Sequence, residues 1–137
     1  MPFRALRKTL LFLGVILYIS MKSHAENSTA LWETQNLLRD PTQRKKAIQN
    51  DSRAQDTDQK VNQLANSPET SQKVYDLSAD VFKEIHAQTG DDGEKMKKLL
   101  NEAAQNPEGF ANSLSPEAKE KLRTIASEIE SNQKQRP

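Results

Sequence analysis

The sequence predicts an all-α protein, a small bundle of about five to seven short amphipathic helices. Three observations support this fold class. Four prolines each follow an Asp, Asn or Ser residue that can cap the start of a helix. Between these starts, apolar residues recur at spacings of three and four, which places them on one helix face. No segment alternates apolar and polar residues over the length of a typical strand.

The N-terminal stretch 1–25 has the three parts of a secretory signal peptide. Basic residues come first, an apolar run follows from Leu10 to Met21, and the small residues Ser23 and Ala25 occupy the two positions that signal peptidase reads. We therefore predict cleavage after Ala25 and an exported protein, periplasmic or secreted. The alternative is a retained membrane anchor, but the run has 12 residues, whereas a membrane-spanning helix needs roughly 20.

Removal of the signal leaves residues 26–137, which we divide into one helical domain (26–133) and a frayed C-terminal tail (134–137). This part holds 16 Lys and Arg against 19 Asp and Glu, a net charge of −3. No nucleic-acid partner is expected, because phosphate binding needs a surplus of clustered basic residues. Leu, Ile, Val and Phe supply only 18 of the 112 residues, and no cysteine is present. Such a domain depends on close packing or on a partner for its stability.

The first half of the domain predicts three short helices. A brief one covers residues 28–38, and a second begins after Asp40, whose side chain can accept from the free N–H groups of the first turn. A third begins near Asp51 or Ser52. Its apolar positions form one narrow face: Ala54, Thr57, Val61, Leu64 and Ala65.

The most apolar element is a predicted core helix that runs from Pro68 to about Thr89 and ends at Gly90. Because its apolar stripe is wide, this helix can contact neighbours on more than one side. The residues of the stripe are Val74, Tyr75, Leu77, Val81, Phe82 and Ile85.

The second half predicts a helix over 94–105, one or two turns over 106–114, and a last helix from 116 to about 133. This last helix begins with Ser115-Pro116-Glu117, which repeats Ser67-Pro68-Glu69 at the start of the core helix, and a matching apolar stripe follows each. The repetition has two interpretations. It is either a duplicated helical hairpin or the independent use of the same efficient helix start.

The inventory of reactive side chains is small. The domain has no cysteine and one histidine, His86, so a single chain cannot form a Cys/His pair or a multi-histidine metal site. The acids around Gly93 lack the ligand spacing of a calcium loop, and we interpret them as helix caps. The basic clusters 44–46 and 95–98 are typical of a solvated helix face. We therefore expect no catalytic, cofactor or metal site.

Four residues are candidates for binding a partner. Trp32 is the only tryptophan, and Trp is enriched at the centres of protein interfaces. Leu31 lies beside it in the sequence, and Tyr75 and Phe82 are the aromatic residues of the core helix. The alternative, which we favour for Trp32, is that it closes one end of the bundle together with Leu31 and its neighbouring leucines.

The stretch Leu114-Ser115-Pro116-Glu117-Ala118, followed by Lys121-Leu122, resembles the Leu-Thr-x-x-Gln motif of the Spy and CpxP group of periplasmic helical chaperones and stress sensors. Ser115 stands where the motif has Thr, and Ala118 stands where it has Gln. The resemblance covers about nine residues of a generic helix start. It implies a periplasmic chaperone or envelope-stress sensor.

These observations lead to one expected function and two alternatives. The expectation is an exported, non-enzymatic helical protein that binds another protein of the envelope or periplasm, or a second copy of itself, through an amphipathic face. The first alternative is the chaperone or stress sensor. The second is a secreted enzyme that uses carboxylates alone, which would need two acids across a cleft.

Overall fold

The computed structural model describes residues 28–90 and 92–135. The predicted signal peptide, with Ser23 and Ala25, lies outside the described residues. Within the described ranges the chain forms seven helices and no strand, which confirms the all-α prediction. The helices are α1 (Ser28–Arg39), α2 (Pro41–Ile48), α3 (Ser52–Ala65), α4 (Pro68–Thr89), α5 (Gly93–Gln105), α6 (Pro107–Ser113) and α7 (Pro116–Lys134).

The helix starts coincide with the predicted capping residues. At all four Asx-Pro or Ser-Pro pairs, the residue before proline accepts a hydrogen bond from the first turn. Asp51 caps α3 and Asp92 caps α5 in the same way. Asp92, one of the acids around Gly93, is therefore a helix cap, as the sequence indicated.

The predicted core helix is the centre of the bundle. Helix α4 contacts α1, α3, α5 and α7. Its residues Val74, Leu77, Val81 and Ile85 are fully buried, and Ser78 between them donates a hydrogen bond to the carbonyl of Val74. A helix with neighbours on several sides must be apolar over most of its circumference, as this one is.

Helices α4 and α7 pack antiparallel, with two reciprocal ion pairs about two turns apart. Lys73 near the start of α4 pairs with Glu128 on α7 at 2.7 Å, and Lys121 near the start of α7 pairs with Asp80 on α4 at 2.8 Å. Lys121 lies 48 positions after Lys73, and Glu128 lies 48 positions after Asp80. The two helices therefore exchange equivalent contacts.

The caps of the same two helices are also held from across the interface. The N–H and hydroxyl groups of Ser115, which caps α7, both donate to the carboxylate of Glu84. At the other end, the Asn132 amide donates to the Ala65 carbonyl at 2.8 Å and to the Thr70 hydroxyl at 3.1 Å. Asn132 therefore ties the last turns of α7 to the end of α3 and the start of α4.

Candidate partner-binding surface

Helix α1 is held firmly on α4. Thr34 and Leu38 are buried in the interface. Arg39 at the end of α1 donates to Asp80 at 2.6 Å, and the Gln35 amide donates to the carbonyl of Ala79 at 3.4 Å. Because buried side chains, an ion pair and a hydrogen bond all hold α1 on α4, this helix has a defined orientation on the bundle.

Trp32 lies away from the buried residues Thr34 and Leu38. A helix turns about 100° per residue, so Trp32 lies about 200° from Thr34 around the α1 axis. Its side chain is 66% exposed, and within the part of the chain that the structure describes it is the only large hydrophobic residue classed as exposed. The interpretation that Trp32 closes the end of the bundle is therefore wrong. Leu38, which was grouped with it, does join the core.

Two of the other candidate residues are core residues. Tyr75 is 4% exposed and Phe82 is 5% exposed. Their prediction as partner-binding residues is wrong for the folded chain, because α4 has neighbours on several sides and these rings fill the spaces between helices. The side chain of Leu31 lies outside the described residues, and its role stays a prediction.

Tyr75 takes part in a polar cluster between α2, α3 and α4. The guanidinium of Arg44 stacks over the Tyr75 ring at 3.7 Å from its centroid and donates to the Leu38 carbonyl and the Gln72 amide oxygen at 2.6 and 3.1 Å. The Tyr75 hydroxyl donates to Asp58 at 2.6 Å. Burial, and then this bond to Asp58, raise the pKa of Tyr75 well above its ordinary value. The phenol therefore remains neutral and acts as a fixed donor.

A second polar cluster surrounds Asp80 in a groove of about 390 Å³ between α1, α4 and α7. Burial alone would raise the pKa of Asp80, but hydrogen bonds from Lys121 and Arg39, with their positive charges, outweigh it and hold the pKa below its ordinary value of 3.8. The hydrogen bond to Asp80 in turn raises the pKa of Lys121. A carboxyl group held in its ionised form cannot serve as the protonated acid of a glycosidase pair. The ion pairs of Asp80 with Arg39 and Lys121 in this groove link α4 to α1 and α7.

Three further features concern groups of metal ligands, membrane-spanning helices and the basic residues of α5. Within residues 28–90 and 92–135, no group of three or more His, Cys, Asp or Glu side chains is arranged to hold a metal ion. Over the same ranges, no helix has the length and apolar character of a membrane span. Lys95, Lys97 and Lys98 are exposed on α5, consistent with a solvated face.

Comparisons with known proteins identify no relative. No protein-family model matches the chain, and neither a curated protein nor a solved structure matches it significantly. The resemblance of the stretch at Leu114 to the Spy motif is therefore supported only by the residues of that stretch. In the fold, Leu114 is buried and Ser115 caps α7, so the stretch has a structural role at a helix start. The fold and the surface together define a small helical bundle that displays one exposed tryptophan on a firmly docked helix.

Proposed function

We propose that this chain is an exported, non-enzymatic protein that binds another protein of the cell envelope or periplasm through helix α1, with Trp32 at the centre of the contact. The observation that carries the proposal is the exposure of Trp32 on a helix that buried residues and the Arg39–Asp80 ion pair fix to the core. Trp buries a large area, on the order of 200 Å², when a partner covers it.

The fixed position of α1 also favours binding. A side chain on an ordered helix loses less conformational entropy on association than one on a mobile segment. The ion pair between Arg39 and Asp80 and the burial of Leu38 supply this order before any partner arrives. Trp32 therefore has the two properties of an interface hot spot, a large apolar area and a defined orientation.

A chaperone of the Spy type is the competing function. Unfolded clients are held by broad apolar surfaces, whereas the described part of this chain exposes one large hydrophobic side chain. This contrast supports a specific partner over a range of clients. Suppression of aggregation of several unrelated unfolded proteins, lost in Trp32→Ala, would favour the chaperone instead.

The test compares three versions of the protein, each expressed from the full sequence and isolated after export. They are wild type, Trp32→Ala and Gln59→Ala. Gln59 is an exposed residue of α3 and serves as the matched control. We expect wild type and the control to retain the same envelope protein, identified by mass spectrometry, and Trp32→Ala to lose it. Purified partner and wild-type chain should then associate, with a blue shift of the single tryptophan emission. Equal retention by all three versions would reject Trp32 as the binding centre.

Export itself is tested separately. The mass and N-terminal sequence of the protein recovered outside the cytoplasm should begin at Glu26 if cleavage follows Ala25. A recovered chain that still begins at Met1 and fractionates with membranes would support the retained anchor and would reject the cleaved signal.

A further inference from the structure

The helix pair α5–α6 (residues 93–113) lies at the periphery of the bundle. Helix α5 packs on α4 and on α6, whereas α6 packs mainly on α5. The buried side chains of α5 keep an exposed fraction of 5–8%, while Val74 and Val81 of the central helix are 0% exposed. The helix pair is therefore at the edge of the core, and α6 is joined to the bundle chiefly through α5.

The helix pair lacks the polar links that hold the other helices. Ion pairs or side-chain hydrogen bonds join α4 to α1, to α3 and to α7. Among the described residues, the side-chain hydrogen bonds of 93–113 are all local, to Asp92, to Asn106 and to the carbonyl of Phe110, and no ion pair joins this segment to another helix. Apolar contacts therefore hold the helix pair on α4. Its separation from α4 breaks no polar pair between them and costs only the exposure of apolar surface.

Both ends of the helix pair are attached to the same short stretch of α4. The N-terminal end follows α4 through Gly90, whose positive φ of 62° favours glycine. The C-terminal end leads to Ser115, whose N–H and hydroxyl groups donate to Glu84. Six positions separate Glu84 from Gly90, which is about 9 Å along a helix axis. The segment between these two attachments can therefore move away while the links between α4 and α7 stay in place.

The helix pair covers apolar residues near the end of α4. Only residues 90–92 separate α4 from α5, and a connection this short makes consecutive helices antiparallel. Met96 and Leu100 of α5 therefore lie beside the last turns of α4. Phe82 and Ile85 of those turns belong to the same apolar cluster and are 5% and 1% exposed. Water reaches this part of α4 only when the helix pair moves.

We propose that α5 and α6 act as a lid, which opens as one unit from the end of α4 while α1, α3, α4 and α7 remain folded. The two helices move together because α6 packs mainly on α5. Opening uncovers Phe82 and Ile85, which gives the bundle a second apolar surface besides Trp32. The inference uses no contact of α1 and is independent of the proposed function.

Native-state hydrogen exchange of the wild-type protein tests the lid without any substitution. The protein is expressed from the full sequence, isolated after export and followed by NMR at urea concentrations below the unfolding transition. The amides of Leu100 and Phe110 should exchange through one common opening that depends weakly on urea, because little surface is exposed. The amides of Val81 and Ile129 should exchange at least about tenfold more slowly, through global unfolding. One exchange mechanism for all four amides, or separate opening of α5 and α6, would overturn the proposal.

Thiol labelling tests whether the opening uncovers α4. The chain has no cysteine, so a single introduced cysteine reports on one position. Leu100→Cys on the lid and Ile85→Cys beneath it should react with a small thiol reagent through the same opening. The matched control is Leu64→Cys on α3, because Leu64 is 7% exposed and Leu100 is 5% exposed; it should react at least about tenfold more slowly.

Urea unfolding of each cysteine variant gives the labelling rate expected from global unfolding alone, which corrects for any loss of stability. Leu100→Cys and Ile85→Cys should both react faster than this rate, and Leu64→Cys should react at it. Labelling of Leu100→Cys only through global unfolding would overturn the proposal. Protection of Ile85→Cys under conditions in which Leu100→Cys reacts would also overturn it, because α5 would then open without uncovering α4.

Discussion

Replacement of Asp80 by Asn tests how α1 and α7 are fixed to the central helix. Asp80 receives Arg39 at 2.6 Å and Lys121 at 2.8 Å, and its own side chain is only 26% exposed. Both cations are nearly half exposed, so water screens each contact to about 0.5–1 kcal/mol. Loss of both charge interactions should therefore lower the free energy of unfolding by about 1–2 kcal/mol at neutral pH. For a domain of this size, that corresponds to a fall in melting temperature of at least about 4 °C.

The pH dependence of this difference gives the sharper result. The pKa of Asp80 is lowered in the folded state, so its contribution to stability is complete above the ordinary value of 3.8 and is lost as pH falls through the lower folded pKa. The wild type then approaches Asp80→Asn, because protonated Asp80 also has no charge. Urea unfolding followed by circular dichroism should show a gap near neutral pH that closes in acid.

The matched control is Asp76→Asn, one turn earlier on α4. Asp76 accepts from the Gln72 amide and has no ion pair among the described residues. Its substitution should cost less at neutral pH, and the cost should not follow the titration of Asp80. If Asp80→Asn unfolds at the same urea concentration as wild type, or if the gap is the same at neutral and acid pH, then the ion pairs do not stabilise the bundle as argued.

Three further substitutions test other parts of the fold. Trp32→Ala should change the free energy of unfolding, measured by chemical denaturation, by no more than about 0.5 kcal/mol, because the side chain is mostly exposed. A larger loss would place the indole in the core. Ile129→Ala should cost about 2–5 kcal/mol, because the side chain is fully buried and leaves a cavity; the same measurement applies, and a cost below 1 kcal/mol would contradict the packing. Asn66 caps the C-terminus of α3 with a left-handed φ of 55°, so Asn66→Ala should lower the free energy of unfolding by about 1 kcal/mol or more. Asn66→Gly should lower it by less in the same denaturation measurement, and the reverse order would contradict the left-handed backbone.

Local features of the fold could be predicted because their causes are local. Ser67 and Ser115 cap the helices that follow them with hydrogen bonds to residues three positions away. The core role of α4 followed from the width of its apolar stripe. Tyr75 and Phe82 are buried for the same reason. A helix apolar on several sides has neighbours on those sides, and its aromatic residues are then covered.

Contacts between distant helices could not be predicted in the same way. Glu84 reaches the cap of α7 from a position 31 residues earlier, and Arg44 stacks on Tyr75 from another helix. These contacts depend on the rotation and offset of one helix against another, which the periodicity of a single helix does not encode. The position of Trp32 did have a local signal. Thr34 and Leu38 are one turn apart on α1, and Trp32 is far from their common face.

The reciprocal contacts of α4 and α7 add to what the repeated Ser-Pro-Glu start could show. Capping explains why both helices begin alike, but it does not require Lys73 and Lys121 to pair with residues at equivalent positions of the opposite helix. Pairing of this kind is the pattern of an isologous interface between two copies of one element. It therefore favours duplication over independent use of the same start. The surrounding helices differ, since α3 has 14 residues and α6 has seven.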